Sequence, residues 1–372
     1  MVNIAIVGPG LVGKELLQQL IAHQASPRAQ VQPLAVVGII NSKNMLLGGK
    51  SPSSAPAPLG SLATWSQQLP TAETANLDQF IDRLATAGAE PTVVVDCTSN
   101  LAVAEQYPAW LKRGLHIVTP NKKGYSSQWS LFEAIRSNSR PQLPAPAPWA
   151  FHEATVGAGL PVLSTLSDLV KTGDEIVKVE GIFSGTLSYL FNNYSAPGPA
   201  SAKPQQAFSD IVSVAKSLGY TEPDPRDDLN GMDVARKVVI LARVAGLKLS
   251  IEDLDVENIV PEALRGVASA DEFMAQLPQY DDHFAALNQQ AAQEGTVLRY
   301  VGVVDPKGKS SVKLMKYPVD HPFAGLKGSD NIIAFTTKYF PSPLIVQGAG
   351  AGAAVTAFGI FADILKVAER VA

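Results

Sequence analysis

Residues 2–20, VNIAIVGPGLVGKELLQQL, decide how the rest of the chain is read. Val2–Val7 is a short, β-branched apolar run of strand length. GPGLVG follows at 8–13, and KELLQQLIAH then repeats apolar residues at helical spacing. Gly8, Gly10 and Gly13 form G-x-G-x-x-G directly between the strand and the helix. Gly8 permits the tight turn, Gly10 lets the backbone approach a pyrophosphate, and Gly13 lets helix and strand pack closely. The helix N-terminus then faces the phosphate charge. The pattern alone is weak evidence, but in this strand–turn–helix context it indicates a dinucleotide site. Pro9 sits inside the fingerprint and has no N–H, which leaves Leu11 and Val12 to supply the phosphate contacts.

Working outward, PLAVVGII (33–40) is a second strand, and Asn44–Gly60, rich in Gly, Pro and Ser, reads as a long surface loop. PTVVVDCTSN (91–100) is a buried strand with a small polar end. Helical YPAWLKRG then leads to the strand of HIVTPNKKG. Alternating strands and helices, with strands apolar on both faces, predict a parallel sheet in a Rossmann-type nucleotide-binding domain over 1–150. RPQLPAPAP (140–148) is the best candidate hinge. Beyond it the pattern changes to an α+β domain with a mixed sheet, over 151–340. VGAGLPVLSTLSDLV reads as a glycine turn opening a helix, EIVKVEGIFSG as a strand, and APGPASAKP (196–204) as a disordered-looking loop. TVLRYVGVV, SSVKLMKYPV, NIIAFTTKYF and PLIVQG are strand-like, and 341–372 is a glycine-rich turn into a long helix.

With 372 residues, the chain is long enough for two domains. A net charge of −4 implies no basic face, so nucleic acid is not an expected partner. The apolar runs fall short of a membrane span, and MVNIAIVGPG lacks a basic leader and a cleavage site. Cys97 is the only cysteine, which excludes an internal disulfide and points to a reducing, cytoplasmic setting. The five histidines show no metal-ligand spacing. His152 reads as a structural hydrogen-bonder and Cys97 as a packed thiol.

The end of the second strand bears on the cofactor. NAD binders commonly place a carboxylate there for the ribose 2′-hydroxyl, and this chain has Asn41, Ser42 and Lys43. Ser42 and Lys43 suit a 2′-phosphate and favour NADP over NAD, although a solvated Lys43 reads equally well. Thr98 and Ser99 suit the lining of a nicotinamide pocket and equally suit a helix cap. The acids concentrate in GYTEPDPRDDLNGMDVARK (219–237). There Asp233 and Lys237 stand at i and i+4 on one helix face beside the apolar stripe Val234, Val238, Leu241, Ala242 and Ala245. Such a pair is ordinarily a surface ion pair. Beside a buried stripe and after a rigid acidic loop, it can instead position a lysine as proton donor.

GPGLVG, DCTSN, TPNKKG, HEATVGAGLP, GIFSGTLSYL, GYTEPDPRDDLNGMDVARK and QGAGAGAAVTA together resemble homoserine dehydrogenase in its short fungal-type form. The resemblance covers nearly the whole chain and is loosest at 25–90 and 250–330. It implies NAD(P)-dependent interconversion of L-aspartate 4-semialdehyde and L-homoserine, on the route to threonine and methionine. By the same resemblance Glu222 binds the substrate amino group, Asp233 contacts the substrate, and Lys237 donates the proton. Lys122 reaches the active site with an overlapping role, and Asp228 supports the pocket. HEATVGAG resembles the family's loop for sodium or potassium, held by Glu153 (carbonyl or carboxylate) and the carbonyls of Val156, Ala158 and Leu160. Gly352 lies at a family cofactor contact, which implies that the C-terminal helix packs back on the nucleotide domain. A homodimer through the second sheet is the family expectation, and the apolar strands at 331–347 accord with it. No long extension follows the last helix, so the regulatory domain of many bacterial relatives is expected to be missing.

The chemistry agrees with this reading. Negative charge grows on the aldehyde oxygen during hydride transfer, and a cationic lysine beside it stabilises that charge and delivers the proton. A zwitterionic amino acid needs a fixed carboxylate for its ammonium, whereas Asp224 and Asp227 read as loop-shaping or solvated. Two other readings compete. A reductase of another small aldehyde would have no use for Glu222, and a silent nucleotide binder or redox sensor would not keep the acid–lysine set.

Overall fold

The structure is a computed structural model, and it describes residues 1–49, 57–85, 90–198 and 206–371. The chain divides into two compact units, residues 1–159 with 352–372, and residues 160–351. The breaks fall at 159/160 and 351/352 rather than after 150 and 340. The cause is local packing, since the 153–159 loop and the closing helix Ala353–Val371 pack on each other within the first unit. The Pro-rich 140–148 segment, the candidate hinge, falls to one side of the first break. It lies inside the first unit, where the Arg140 N–H donates to the Pro148 carbonyl at 2.8 Å and Arg140 bridges to Trp149.

The first unit is built on a seven-stranded sheet. In chain order its strands are β1 (Val2–Val7), β2 (Leu34–Ile40), β3 (Asn44–Leu47), β4 (Glu73–Thr74), β5 (Thr92–Asp96), β6 (His116–Val118) and β7 (Ala150–Phe151). They lie side by side as β4-β3-β2-β1-β5-β6-β7. The five from β2 to β7 are parallel, as the doubly apolar runs predict, and every residue of β1, β2 and β5 is buried. Asn44–Leu47 is not the expected loop. NMLL turns back antiparallel on β2 and carries its apolar side chains onto the sheet edge. The rest of that expected loop at 50–56, and 199–204 of the second one, lie outside the described residues. The first helix, Leu11–Gln24, packs on the sheet through Leu16, Leu17 and Leu20. The closing helix completes the same core with Ala357, Ile360, Ile364 and Val367.

The second unit contains a six-stranded mixed sheet in the order β13-β12-β8-β10-β11-β9. Its strands are β8 (Ile176–Ile182), β9 (Asp255–Val256), β10 (Thr296–Val304), β11 (Ser311–Pro318), β12 (Asn331–Thr337) and β13 (Leu344–Gly348). All neighbours are antiparallel except β11 and β9. The helix Met232–Val244 packs on β10, and Gly302 makes that approach possible. A Cβ at Gly302 would stand 2.5 Å from Val238 and 3.0 Å from the Phe183 ring. At the head of this helix, Gly231 has φ +75° and sits where a Cβ would meet the Tyr300 hydroxyl. Together these glycines fix how deep the Asp233–Lys237 face lies.

Candidate active site

In the first unit the glycine turn has the geometry its spacing predicts. Gly8 adopts φ +81° and leaves no room for a Cβ beside Thr98, and a Cβ on Gly13 would lie 2.8 Å from the Gly8 carbonyl oxygen. Gly10 is different, because a Cβ there would meet nothing within 4 Å. The turn is crowded by its own fold at Gly8 and Gly13 and open at Gly10. Gly10 accepts the first rung of the helix ladder from Lys14 N–H at 2.8 Å, so the Leu11, Val12 and Gly13 amides precede that ladder. Three amides at the start of a 14-residue helix, beside an open glycine, fit a pyrophosphate. Leu11 is 83% exposed and Pro9 is buried.

After β2, the Asn41 side-chain oxygen accepts the N–H groups of Lys43 and Asn44, both at 2.8 Å. This carboxamide shapes the turn into β3, and Ser42 and Lys43 stand exposed at its tip. After β5, the loop carrying Thr98 and Ser99 rests on a buried polar network that sequence reasoning missed. Asp96, with no exposed surface, accepts Thr98 N–H at 2.8 Å, Asn121 Nδ2 at 2.9 Å and the Tyr107 hydroxyl. Thr119 donates to the Asp96 carbonyl and accepts Asn121 N–H. Burial and the Asp96 charge push the Tyr107 phenol well above its ordinary value, so it stays a donor. Parallel pairing of β5 and β6 brings these residues together, and the network fixes the chain just before Lys122, which is half-buried. Asn100 caps the following helix by accepting Ala102 N–H at 2.9 Å. Cys97 packs at the edge of the core, and burial with Asp96 nearby pushes its thiol up, away from nucleophilic use.

The loop 153–159 carries most of the expected cation donors. Gly157 and Ala158 take φ +76° and +53° in succession, and Ala158 is the only non-glycine with positive φ among the described residues. The turn lies so close to the closing helix that a Cβ on Gly359 would be 2.7 Å from the Ala158 oxygen. Glu153 is buried, its carboxylate 3.5 Å from Lys366 Nζ, and its N–H donates to Asp363 at 2.9 Å. Lys366 also pairs with Asp363 at 2.8 Å. The Glu153 carboxylate is thus already compensated by an ammonium. That leaves neutral carbonyl oxygens as the donors suited to a hard monovalent cation. Leu160 opens the second unit. Among the described residues no group of three His, Cys, Asp or Glu is placed to hold a metal ion. His152 stacks on Tyr125 at 3.6 Å, and burial lowers it to about 3.

In the second unit the acidic stretch sorts itself into two faces. Asp224 clamps Arg226 at 2.6 Å, and Arg226 donates to the Val267 carbonyl. With exposed Asp227 they line a surface cavity of about 320 Å³ together with Asn230 and Arg265. Asp228 turns the other way. It accepts Glu222 N–H at 2.8 Å and the Thr186 hydroxyl at 2.8 Å. Burial, with Glu222 and Asp233 as neighbouring charges, pushes its carboxyl up to about 6. An Asp228 carboxyl raised in this way, with two further carboxylates beside it, suits a bound cation. Beside them Lys237 is 7% exposed, with its Nζ held by Asp233 at 2.8 Å and by the Phe183 carbonyl at 2.7 Å. The i,i+4 spacing gave the first contact. The second comes from a backbone group 54 positions away, which no side-chain pattern announces.

Comparison with known proteins identifies the chain at this point. Residues 161–365 match the family model for homoserine dehydrogenase, and residues 8–142 match that for the homoserine dehydrogenase NAD-binding domain. The chain belongs to the homoserine dehydrogenase family. It is 47% identical to a homoserine dehydrogenase of Paracoccidioides brasiliensis, over 99% of this chain and 98% of that one. It is 49% identical to a bifunctional aspartokinase/homoserine dehydrogenase of Zea mays, over 98% of its own length, and it spans 38% of the length of that larger protein. A Candida auris crystal structure described as being of unknown function superposes with a TM-score of 0.88 at 45% identity, over 99% of this chain and 98% of that one. Among the described residues no helix is long and apolar enough to cross a membrane.

Proposed function

We propose that the protein catalyses the NAD(P)-dependent interconversion of L-aspartate 4-semialdehyde and L-homoserine, on the route to threonine and methionine. The observation that carries this reading is the pairing of a buried, doubly anchored lysine with Asp228, a carboxyl raised by burial and by the neighbouring charges of Glu222 and Asp233, in one unit. The bound nicotinamide supplies or accepts the hydride. Glu222, supported by Asp228, takes the substrate ammonium, and Asp233 contacts the substrate while holding Lys237. Lys237 Nζ donates its proton to the aldehyde oxygen as negative charge develops there, and recovers one when homoserine is oxidised. Lys122 shares the approach to the reacting groups. In the cofactor site Gly8, Gly10, Leu11, Val12 and Gly13 receive the pyrophosphate, Thr98 and Ser99 line the nicotinamide pocket, and Gly352 adds a backbone contact.

NADP is the preferred cofactor, because the turn after β2 offers exposed Ser42 and Lys43 and no carboxylate. The carbonyls of Glu153, Val156, Ala158 and Leu160 hold sodium or potassium. A cytoplasmic homodimer forms through the second sheet, whose outermost strand β13 leaves Ile345 exposed near Tyr339 and Phe340. The test is oxidation of NADPH and of NADH by the purified protein with aspartate 4-semialdehyde, beside a Lys237→Ala variant. Turnover that falls by about 10²–10⁴ in the variant supports the assignment. Tight NADPH binding without any turnover would leave a silent nucleotide binder as the better reading.

A further inference from the structure

The Phe183 carbonyl that anchors Lys237 is itself held by a residue that plays no part in the account so far. Asn331 opens β12 with no exposed surface, and its Nδ2 donates to the Phe183 oxygen at 3.0 Å. The same oxygen accepts Lys237 Nζ at 2.7 Å. The other half of the amide, Oδ1, is buried without a hydrogen-bond partner among the described residues. Gly350 accounts for the tight enclosure, since a Cβ there would lie 2.0 Å from Asn331 Nδ2. A buried amide with its oxygen unsatisfied is an unfavourable choice for a strand residue, and an aliphatic side chain would avoid that penalty. Among the described residues its one side-chain hydrogen bond goes to the carbonyl that holds the lysine.

We infer that Asn331 is a positioning residue. Its amide pins the Phe183 carbonyl so that Lys237 Nζ keeps one direction toward the substrate oxygen. The inference rests on Lys237 as proton donor. A lysine reaches its target through a flexible four-carbon stem, and its precision comes from what grips the end. Asp233, 44% exposed and on the same helix, is a solvent-facing grip. A carbonyl at the end of β8 with a second donor already on it is a rigid one. On β8 itself, buried Glu180 pairs with Lys178 at 2.6 Å. The charges of Asp233 and Glu222 both act on Asp228. Arg299 of β10 donates to the carbonyls of Phe191, Ser195, Phe323 and Ala324. Lys313 and Lys316 of β11 pair with Asp255 and Glu294, and Asp168 of the Val162–Lys171 helix is exposed.

The experiment compares pH profiles of kcat for aldehyde reduction in the full-length protein, Asn331→Asp, Asn331→Leu and Lys237→Met, with cofactor Kd and Tm measured alongside. Asn331→Asp removes the donor and adds negative charge near the ammonium, so the alkaline limb set by Lys237 moves to higher pH. Asn331→Leu frees the carbonyl to turn away, so the limb moves to lower pH. In both variants kcat falls by about tenfold or more while cofactor Kd is unchanged. Lowered Tm with the limb unmoved in both variants would overturn the inference and leave Asn331 a strand-packing residue. If Leu prevents folding, the near-isosteric Asp variant decides alone. Undiminished turnover in Lys237→Met would remove the donor reading, and the inference with it. Loss of turnover there, with both Asn331 limbs unmoved, would remove the inference only.

Discussion

Gly10 and Gly13 look alike in the sequence and differ in what surrounds them. A Cβ on Gly13 collides with the Gly8 carbonyl, whereas one on Gly10 meets open space. Gly13→Ala is therefore expected to destabilise the protein by about 1–3 kcal/mol. Gly10→Ala should leave Tm nearly unchanged while weakening NADPH binding, which thermal melts and fluorescence titration will separate. Equal loss of Tm in both variants would contradict the view that the space beside Gly10 is reserved for ligand. Asp228 provides the pH signature. Burial and the neighbouring carboxylates push its carboxyl up to about 6, and on the proposed reading it must be ionised to complete the ammonium site. Activity on the amino acid should thus rise with pH through about 6, appearing in kcat/KM, which reports the free enzyme. In kcat the limb should lie lower, since a bound ammonium favours the ionised form. Asp228→Asn should remove that limb and lower kcat/KM by about tenfold, the scale of one charge-assisted hydrogen bond.

Elements with a single strong local signal were legible, and those assembled from distant pieces were not. The first strand, turn and helix could be read because periodicity, glycine placement and order agree over 20 residues. β3 was hidden because its three apolar residues run into a Gly/Pro/Ser-rich stretch that dominates the composition there. The Asp96–Tyr107–Thr119–Asn121 network spans 25 positions and exists only because β5 and β6 pair. The 153–159 loop showed itself as a turn, but its anchor did not, because Asp363 lies 210 positions further along the chain. That anchor is buried, with Asp363 1% exposed and accepting from both Glu153 N–H and Lys366. Asp363→Ala would leave the buried Glu153 N–H without its acceptor and Lys366 with only the longer Glu153 contact at 3.5 Å. A loss of about 3–5 kcal/mol in urea-monitored stability is expected, whereas a change below 1 kcal/mol would show that the loop is held by packing alone.

For the whole molecule, the division into units has a consequence for truncation. The last helix is contiguous in sequence with the second unit, yet it completes the core of the first, where Ala357, Ile360, Ile364 and Val367 have no exposed surface. Each buried aliphatic side chain contributes about 1.5–3 kcal/mol, so removing residues 352–372 takes away about as much as a whole domain's net stability. Hydrogen exchange on that truncation should show protection lost in β1, β2 and β5 and kept in β8, β10 and β12. Protection kept throughout would mean that the helix is dispensable to the core. On the proposed reading the acidic stretch recognises an amino group and poises a lysine. The most direct test of that reading compares kcat/KM for aspartate 4-semialdehyde and for succinate semialdehyde, which lacks that group, in the wild type and in Glu222→Gln. Strong discrimination is expected in the wild type, on the order of 10²-fold or more, and should largely disappear in the variant. Discrimination that survives Glu222→Gln intact would contradict the reading.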